Sequence, residues 1–401
     1  MGSIVENARR ARWGDVIMSG MTARRIFLAA LPSVFALVIF GFGFGVGRYQ
    51  VARSLRRQIL DFARSDTLGH MVAKDEKASY ASAYENPASV ALEMDHFSYA
   101  VPNVLTPFVG TGPEPGWHDN AFINSMQFRS SKEVAMPKPQ GIYRIFVTGG
   151  STAYGSGAPS QDKIIGQYLE NLLNAEITPA THLRYEVFTL ASPAWTSTHE
   201  RIIIENRLSE LAPDMVISFS GSNDVHWAGA GRDVFWFRTY SDQHFWDLLN
   251  TARKIAGFHP MTDVIVGPLP VDPATAATRL EKNVRLSAMA LALKGARYVF
   301  VLQPAIAITS KPLSTREQKL RARLLPPALE NFTKSYQEMR SRLSSIHGDQ
   351  FLYLDQSDAF AGLPASDEIF LDSYHFGDRG NAIVAKKIAD GIHQSVTQRT
   401  P

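Results

Sequence analysis

Four polar residues of the types found in an acyl-transfer site occur after residue 150, at Ser151, Asn223, Asp372 and His375. A serine hydroxyl becomes a nucleophile when a histidine takes its proton, and a carboxylate usually fixes that histidine's tautomer. Asp372 and His375 are three residues apart, so one turn can present both to Ser151. The tetrahedral intermediate also needs oxyanion donors, for which the backbone N–H groups of Ser151 and Ala194 and the Asn223 amide are candidates.

Each of these residues also has an ordinary structural explanation. A serine after a strand is commonly a helix cap or turn residue. Asn223 and Asp224 are typical turn formers, and a histidine near a C-terminal helix is usually a hydrogen-bonded or surface residue. The chemical interpretation therefore depends on whether the fold brings these residues together.

Regular apolar runs begin after Gly141, and the first of them lies in the stretch IYRIFVTGGSTAYGSG. We predict strands at 144–148, 185–190, 215–219, 298–302 and 351–354. Helical patterns lie between and after them, at 161–175, 197–211, 274–294, 315–345 and 379–394. This alternation predicts a parallel sheet with helices on both faces, and the carboxyl ends of its strands should meet at one edge. Ser151, Ala194 and Asn223 follow three of those strands.

The ordered set TGGSTAYGSG, LASPAWTS, SFSGSND and LDSYHFGDRGN resembles the serine, glycine, asparagine and histidine blocks of the SGNH (GDSL-like) hydrolases. The resemblance covers roughly 140–395. It implies a flavodoxin-like three-layer α/β/α fold and an ester-cleaving or acyl-transferring activity. By motif, Ser151 is the nucleophile, His375 the base, Asp372 its orienting acid and Asn223 an oxyanion donor.

Two positions depart from the family pattern. The first block reads GGS where many members have GDS, which leaves the serine in place. The second block has Ala194 where the family usually has glycine. Alanine still offers its N–H, provided that the backbone angle suits a residue with a β-carbon. This substitution bears on oxyanion geometry and on the room left for substrate.

Several other function classes are excluded or disfavoured. Lys and Arg number 41 against 38 Asp and Glu, so the charge gives no case for a nucleic-acid partner. The absence of cysteine excludes disulfides, thiolate metal sites and cysteine catalysis. No Walker lysine, dinucleotide fingerprint or GxSxG elbow surrounds Ser151. The scattered histidines lack ligand spacing, and we predict neither a metal nor a cofactor.

The N-terminal region predicts a membrane anchor. After a short basic tail (1–25), the uncharged stretch 26–47 would rise roughly 33 Å as a helix, enough to cross a membrane. The alternative is a cleaved signal peptide. Arginines flank both ends, so charge counting does not orient the segment. A lone span before a large domain most often acts as a signal anchor, which places the C-terminal domain outside the cytoplasm, in the periplasm of a Gram-negative cell.

Between the predicted span and the first strand lies a region (48–140) with weaker patterning. Its first part, to about residue 66, predicts a juxtamembrane helix. From residue 68 onward, repeated prolines predict an extended arm packed on the main domain (141–395), with a short strand at Asn124–Ser130.

An aromatic-rich insertion (225–275) follows the third strand. Its aromatic side chains predict packing of an inserted helix or contact with the membrane interface, and the alternative is a lid or stacking wall beside the site. Arg232 and Arg238 within it are predicted to lie in a solvated loop, and the alternative is contact with an anionic substrate.

Together these features predict a membrane-anchored serine esterase or acyltransferase. It is expected to act on an acylated glycan or lipid outside the cytoplasm, with acetyl as the expected acyl group. The alternative is a non-catalytic protein with the same fold, which would be a glycan-binding or assembly subunit with partners in an envelope complex.

Overall fold

The computed structural model describes residues 3–62, 66–175, 184–231, 238–262 and 271–397. The chain divides into two compact units. The first comprises Met1–Leu60 and Asp247–Pro260, and the second comprises Asp61–Trp246 and Met261–Pro401.

A single helix, α1 (Ser3–Phe62), dominates the first unit. Its stretch Ala30–Leu60 contains an 18-residue window with a mean hydropathy of 2.0, and none of that window is buried. The predicted span at 26–47 and the predicted juxtamembrane helix are therefore parts of one continuous helix. Its length and composition fit a single-pass anchor.

The second unit begins with an N-terminal arm, residues 66–140, which is built from short elements. Its helices and strands are β1 (Asp66–Thr67), α2 (Leu68–Met71), α3 (Lys77–Ala81), α4 (Pro87–Glu93), β2 (Ser98–Ala100), β3 (Asn103–Thr106), β4 (Gly110–Pro113), β5 (Gly116–His118) and β6 (Ala121–Ile123). The strands pair antiparallel as β1 with β2, β3 with β4, and β5 with β6. The sequence predicts an extended arm, whereas the structure shows short helices and strands that are separated by prolines.

The strand predicted at Asn124–Ser130 is wrong. The Asn124 side-chain oxygen accepts hydrogen bonds from the backbone N–H groups of Met126 and Phe128, at 3.0 and 2.9 Å. An asparagine that bonds its own following backbone in this way closes a turn. Only Arg129 in this segment pairs with neighbouring strands, through isolated bridges to Ile123 and Thr189.

The predicted parallel sheet is confirmed. Its strands are β7 (Ile142–Gly149), β8 (Arg184–Ala191), β9 (Met215–Ser220), β10 (Arg297–Leu302) and β11 (Phe351–Asp355). Their spatial order is β11-β10-β9-β7-β8, and every neighbouring pair is parallel. This is the 2-1-3-4-5 order of flavodoxin-like folds, whose ligands bind at the carboxyl edge where the strand order reverses.

Helices cover both faces of the sheet. They are α5 (Ser151–Tyr154), α6 (Ile165–Ala175), α7 (Ser197–Asn206), α8 (Ser222–Gly229), α10 (Pro273–Ala292), α11 (Thr315–Ala322), α12 (Pro326–Ser344) and α13 (Asp378–Thr397), and a further helix, α9 (Tyr240–Ile255), lies between α8 and α10 in the chain. The single helix predicted at 315–345 is two helices. Pro326 and Pro327 start the second one, since proline is tolerated in a first turn but not in a helix interior.

The strands are apolar on both sides, because each side is covered. Ile145 and Val147 face the core that includes Leu169 of α6 and Ile388 of α13. The intervening Phe146 faces the opposite core with residues of α7, α10 and α12. Alternate residues of a strand point to opposite faces, so one continuous apolar run supplies both cores. Burial of each such side chain contributes roughly 1.5 to 3 kcal/mol.

Candidate active site

The structure brings Ser151, His375 and Asp372 into one hydrogen-bonded row. Ser151 opens α5 directly beyond the carboxyl end of β7. Its Oγ lies 2.7 Å from Nε2 of His375, whose Nδ1 lies 2.7 Å from Oδ2 of Asp372. A histidine so placed can take the serine proton on Nε2 while Nδ1–H donates to the carboxylate. The imidazole is nearly buried, with 8% of its side chain exposed.

The turn between β11 and α13 holds the acid–base pair rigidly. The other oxygen of Asp372, Oδ1, accepts hydrogen bonds from the backbone N–H groups of Tyr374 and His375, at 2.8 and 2.9 Å. Across the same turn, Leu371 N–H donates to the His375 carbonyl at 2.8 Å. Desolvation raises the pKa of the Asp372 carboxyl, but the facing His375 and these hydrogen bonds lower it more, to about 2. The carboxylate is therefore ionised at neutral pH.

Three N–H donors converge beside the serine. Within the described residues, the backbone N–H groups of Ser151 and Ala194 donate to no protein acceptor. Asn223, near the start of α8, donates one amide hydrogen to the Trp195 carbonyl at 2.8 Å, which leaves the second one. Ala194, Asn223 and Ser151 all line the same cavity. These are the predicted oxyanion donors, and the geometry leaves each able to donate.

Gly150 packs directly against the Asn223 amide. A β-carbon at position 150 would lie 2.3 Å from Asn223 Nδ2 and 3.2 Å from the Trp195 carbonyl oxygen. A larger residue at position 150 would therefore require the Asn223 side chain to shift.

Gly150→Ala is expected to displace Asn223 while leaving the row of Ser151, His375 and Asp372 in place. Loss of one oxyanion donor typically lowers kcat by about 10² to 10³, so we expect a fall of about 10²-fold in ester hydrolysis. Steady-state kinetics on an aryl acetate measure it. A kcat within twofold of wild type would show that Asn223 does not serve the reaction.

Ala194 has a backbone φ of 69°, in the left-handed region that glycine prefers. Its N–H is oriented as a glycine's would be, but at a conformational cost. For a residue with a β-carbon this cost is roughly 1 to 2 kcal/mol.

Ala194→Gly is expected to stabilise the protein slightly. Relief of roughly 1 to 2 kcal/mol of strain outweighs the roughly 0.4 to 1 kcal/mol that the more flexible unfolded chain costs. The net gain should be about 0.5 to 1 kcal/mol in chemical denaturation, with kcat within about twofold because the N–H is retained. A clear loss of stability would show that the alanine side chain packs favourably where it stands.

Asp224 joins the first turn of α8 to the first turn of α7, beside the predicted oxyanion donors. Its residue type and its position in the sequence did not indicate this contact. Its carboxylate accepts from the backbone N–H of Ser197, at 3.1 Å, and from the Ser197 hydroxyl, at 2.5 Å. Asn283 of α10 donates to the same hydroxyl at 2.9 Å. Burial raises the pKa of Asp224 to about 6 despite these bonds. The interpretation of Asp224 as a turn former did not include these hydrogen bonds, which join α8 to α7.

Tyr99 is a further site residue that the sequence did not indicate. It lies on β2 of the arm, and its hydroxyl is 2.9 Å from Nδ1 of His375 and 3.2 Å from Oδ2 of Asp372. No motif contains it, because the arm lacks the periodicity that placed the other candidates. The only sequence signal for Tyr99 is its place in a proline-rich segment that contains other aromatic residues before it.

A cavity of about 730 Å³ opens onto Ser151. Neutral polar groups, aromatic rings and histidines form most of its wall. Its described charged residues are two aspartates, Asp66 and Asp372, and no lysine or arginine is among them. The wall includes Tyr99, Asn103, Ser192, His226, Trp227, His244, Ser373 and Tyr374. Such a surface suits a neutral, hydroxyl-bearing substrate better than an anionic one.

The aromatic-rich insertion contributes part of this wall through Trp227 and His244. Arg238 instead lies over the ring of Trp246, 3.9 Å from its centroid. Arg232 and the cluster Phe235–Phe237 lie outside the described residues. Trp227 therefore lies in the cavity wall, as in the alternative interpretation of this insertion, and Arg238 is not among the described cavity residues.

Among the described residues, no group of three or more histidine, aspartate or glutamate side chains has an arrangement that would hold a metal ion.

The chain thus has an α/β fold in which a serine, a histidine and an aspartate form a hydrogen-bonded row at the carboxyl edge of the sheet. No protein-family model and no curated protein matches the chain. Among solved structures, it is similar to an acetylxylan esterase from Geobacillus stearothermophilus, with 14% identity, a TM-score of 0.36, and coverage of 62% of this chain and 94% of the other.

Two other solved structures have comparable similarity. An acetyl xylan esterase has 15% identity and a TM-score of 0.35 and covers 62% of this chain and 99% of its own. An α/β hydrolase from the metagenome of Lake Arreo, Spain, has 15% identity and a TM-score of 0.36, with 63% and 95% covered. These proteins are esterases and a hydrolase.

Proposed function

We propose that this chain is a serine esterase of the SGNH type, in which Ser151 is the nucleophile, His375 the general base and Asp372 the residue that orients it. The observation that carries the proposal is the continuous row of two 2.7 Å contacts from Ser151 Oγ through the imidazole to Asp372. A structural serine cap or a surface histidine has no need of such an alignment. Its position at the carboxyl edge, beside free N–H donors, adds independent support.

In the proposed reaction, Ser151 Oγ attacks the carbonyl carbon of an ester, and its proton passes to Nε2 of His375. The carbonyl oxygen becomes an oxyanion bound by the N–H groups of Ser151 and Ala194 and the Asn223 amide. The C–O bond to the alcohol then breaks, and the leaving oxygen takes the proton from Nε2. Water or another hydroxyl attacks the acyl-serine with His375 again as base, which releases the acid or a new ester and restores Ser151.

We infer that the substrate is an acylated glycan or lipid, with acetyl as the acyl group. The absence of lysine and arginine from the described cavity wall argues for a neutral ester. Aromatic faces such as those of Trp227 and Tyr374 stack well on sugar rings and acyl chains. The choice between hydrolysis and transfer depends on whether water or a second hydroxyl reaches the acyl-serine first.

The helix α1 supports the further proposal that the enzyme is anchored by one N-terminal span, with its catalytic domain outside the cytoplasm. The exposed apolar window within Ala30–Leu60 is the supporting feature. A reporter fused after Pro401 should be active only in the extracytoplasmic compartment. A fusion active only in the cytoplasm would reverse this orientation.

The function is tested with the full-length protein in detergent against a panel of neutral esters. The panel contains an aryl acetate, a per-O-acetylated xyloside and a long-chain aryl ester, each measured beside a His375→Ala variant. We expect hydrolysis of the acetyl esters that depends on His375, with the long-chain ester turned over more slowly. Binding of the xyloside without hydrolysis of any ester would favour the non-catalytic, glycan-binding alternative.

A further inference from the structure

The N-terminal arm reaches the acid–base pair through one side chain, Tyr99. Its hydroxyl oxygen lies 2.9 Å from Nδ1 and 3.4 Å from Nε2 of His375. An oxygen bonded to one ring nitrogen in the ring plane cannot come this close to the second, so the hydroxyl lies over the imidazole face. The two rings are tilted by 59°, with centroids 4.9 Å apart.

The proton of this hydroxyl has a defined partner. A carboxylate only accepts hydrogen bonds, and Asp372 Oδ2 lies 3.2 Å from the tyrosine oxygen. When the Tyr99 hydroxyl donates its hydrogen bond to that carboxylate, the lone pairs of its oxygen face the imidazole. This orientation suits the imidazolium that forms when Ser151 loses its proton.

The backbone of Tyr99 is tied to the turn that follows the nucleophile. Its carbonyl accepts a hydrogen bond from the Ser156 hydroxyl at 2.5 Å, and the Ser98 carbonyl accepts one from Gly157 N–H at 2.9 Å. The buried Ser98 and Tyr154 hydroxyls lie 2.9 Å apart. Tyr99 thus spans the site, with its main chain on the serine side and its side chain on the histidine side.

Other arm residues fasten the same segment to the helix that follows His375. Glu85 N–H donates to Asp378 at 2.9 Å, and Arg379 donates to the Tyr84 carbonyl at 3.0 Å. The arm also forms its own apolar cluster with Leu371 of the catalytic turn. Because the arm is held at both sides of the site, the position of the Tyr99 hydroxyl is fixed by the fold rather than by solvent.

We propose that Tyr99 is a positioning residue, through which the N-terminal arm completes the site by holding the Asp372–His375 pair in line with Ser151. The proposal rests on the proposed esterase function. It makes the arm, which lies outside the part of the chain covered by the SGNH motifs, a required part of the enzyme.

The test is the rate at which a fluorophosphonate labels Ser151 in the full-length protein. Tyr99→Phe removes one oxygen and keeps the ring, so the fold should persist. Misplacement of a catalytic group can lower a reaction rate by up to about 10²-fold, and we expect about a tenfold lower labelling rate for the loss of this single hydroxyl.

Tyr84→Phe is the matched control, because it removes another hydroxyl of the arm without touching the acid–base pair. The Tyr84 hydroxyl donates to the Gly157 carbonyl at 2.7 Å. The labelling rate of Tyr84→Phe should stay within twofold of wild type.

A double-mutant cycle separates positioning from general structural support. If Tyr99 acts through the acid–base pair, Tyr99→Phe should lower the rate about tenfold in the wild type but less than twofold in an Asp372→Asn background. An equal loss in both backgrounds, or no loss in the wild type, would overturn the positioning role. A wild type that is not labelled at all would overturn the esterase function and this proposal together, and so is distinguishable from either result.

Discussion

Ser151→Ala is expected to abolish ester hydrolysis, with kcat lowered by about 10⁴-fold or more. The row of Ser151, His375 and Asp372 acts as a unit, so that removal of its nucleophile leaves only binding and the oxyanion donors to assist water. The change deletes a single oxygen at the start of α5, and the fold should remain intact. Steady-state kinetics on an aryl acetate, with circular dichroism to verify folding, measure the effect.

Ser160→Ala provides the matched control for this experiment. Ser160 lies nine residues further along, and its hydroxyl bonds Asp162 at an exposed site. Its kinetics should equal those of the wild type. If Ser151→Ala retained more than about a tenth of wild-type activity, another nucleophile would have to be sought.

Asp372→Asn is expected to lower kcat by about 10⁴-fold, the loss typical when the carboxylate of such a row becomes an amide. The amide can present its NH₂ group to Nδ1 of His375, which favours the tautomer with its proton on Nε2. That proton points at Ser151 and prevents the imidazole from acting as a base. The backbone donors of Tyr374 and His375 can still bond the remaining amide oxygen, so the turn should persist.

The matched control is Asp390→Asn, which changes an exposed carboxylate paired with Lys386 on α13. It should leave kcat/KM unchanged within about twofold, since exposed pairs contribute little. A loss of less than tenfold in Asp372→Asn would mean that this carboxylate does not orient His375.

The sheet was predictable because its strands are covered on both faces. Continuous runs such as Met215–Ser220, which is buried throughout, need no alternation, and the five runs lie within a few residues of the observed strands. The parallel direction followed from the helical patterns between them. The error at 315–345 arose where helical periodicity continued across Pro326 and Pro327, which restart the helix.

The residues at the strand ends were predictable for a related reason. Ser151, Ala194 and Asn223 follow successive strands, and parallel strands place such ends at one edge. Asp372 and His375 are close in sequence, so a single turn sufficed to place both. The backbone angle of Ala194 was recognised as a constraint from the sequence, but its value of 69° required the structure.

Contacts that join distant parts of the chain were not predictable. Tyr99 is 276 residues from His375, and the proline-rich arm has no period that would fix where its side chains point. The clamp between Asp224 and Ser197 also depends on how two helices pack. Such contacts depend on tertiary packing, to which local pattern and propensity do not extend.

Fluorophosphonate labelling, read out by intact mass and by mapping of the modified peptide, tests the proposed catalytic serine most directly. The reagent reports an activated serine without requiring knowledge of the natural ester. We expect one adduct per chain, located on Ser151, formed in the wild type and lost in both Ser151→Ala and His375→Ala. Absence of an adduct on the folded wild-type protein, or an adduct that persists at Ser151 without His375, would contradict the proposed serine-esterase mechanism.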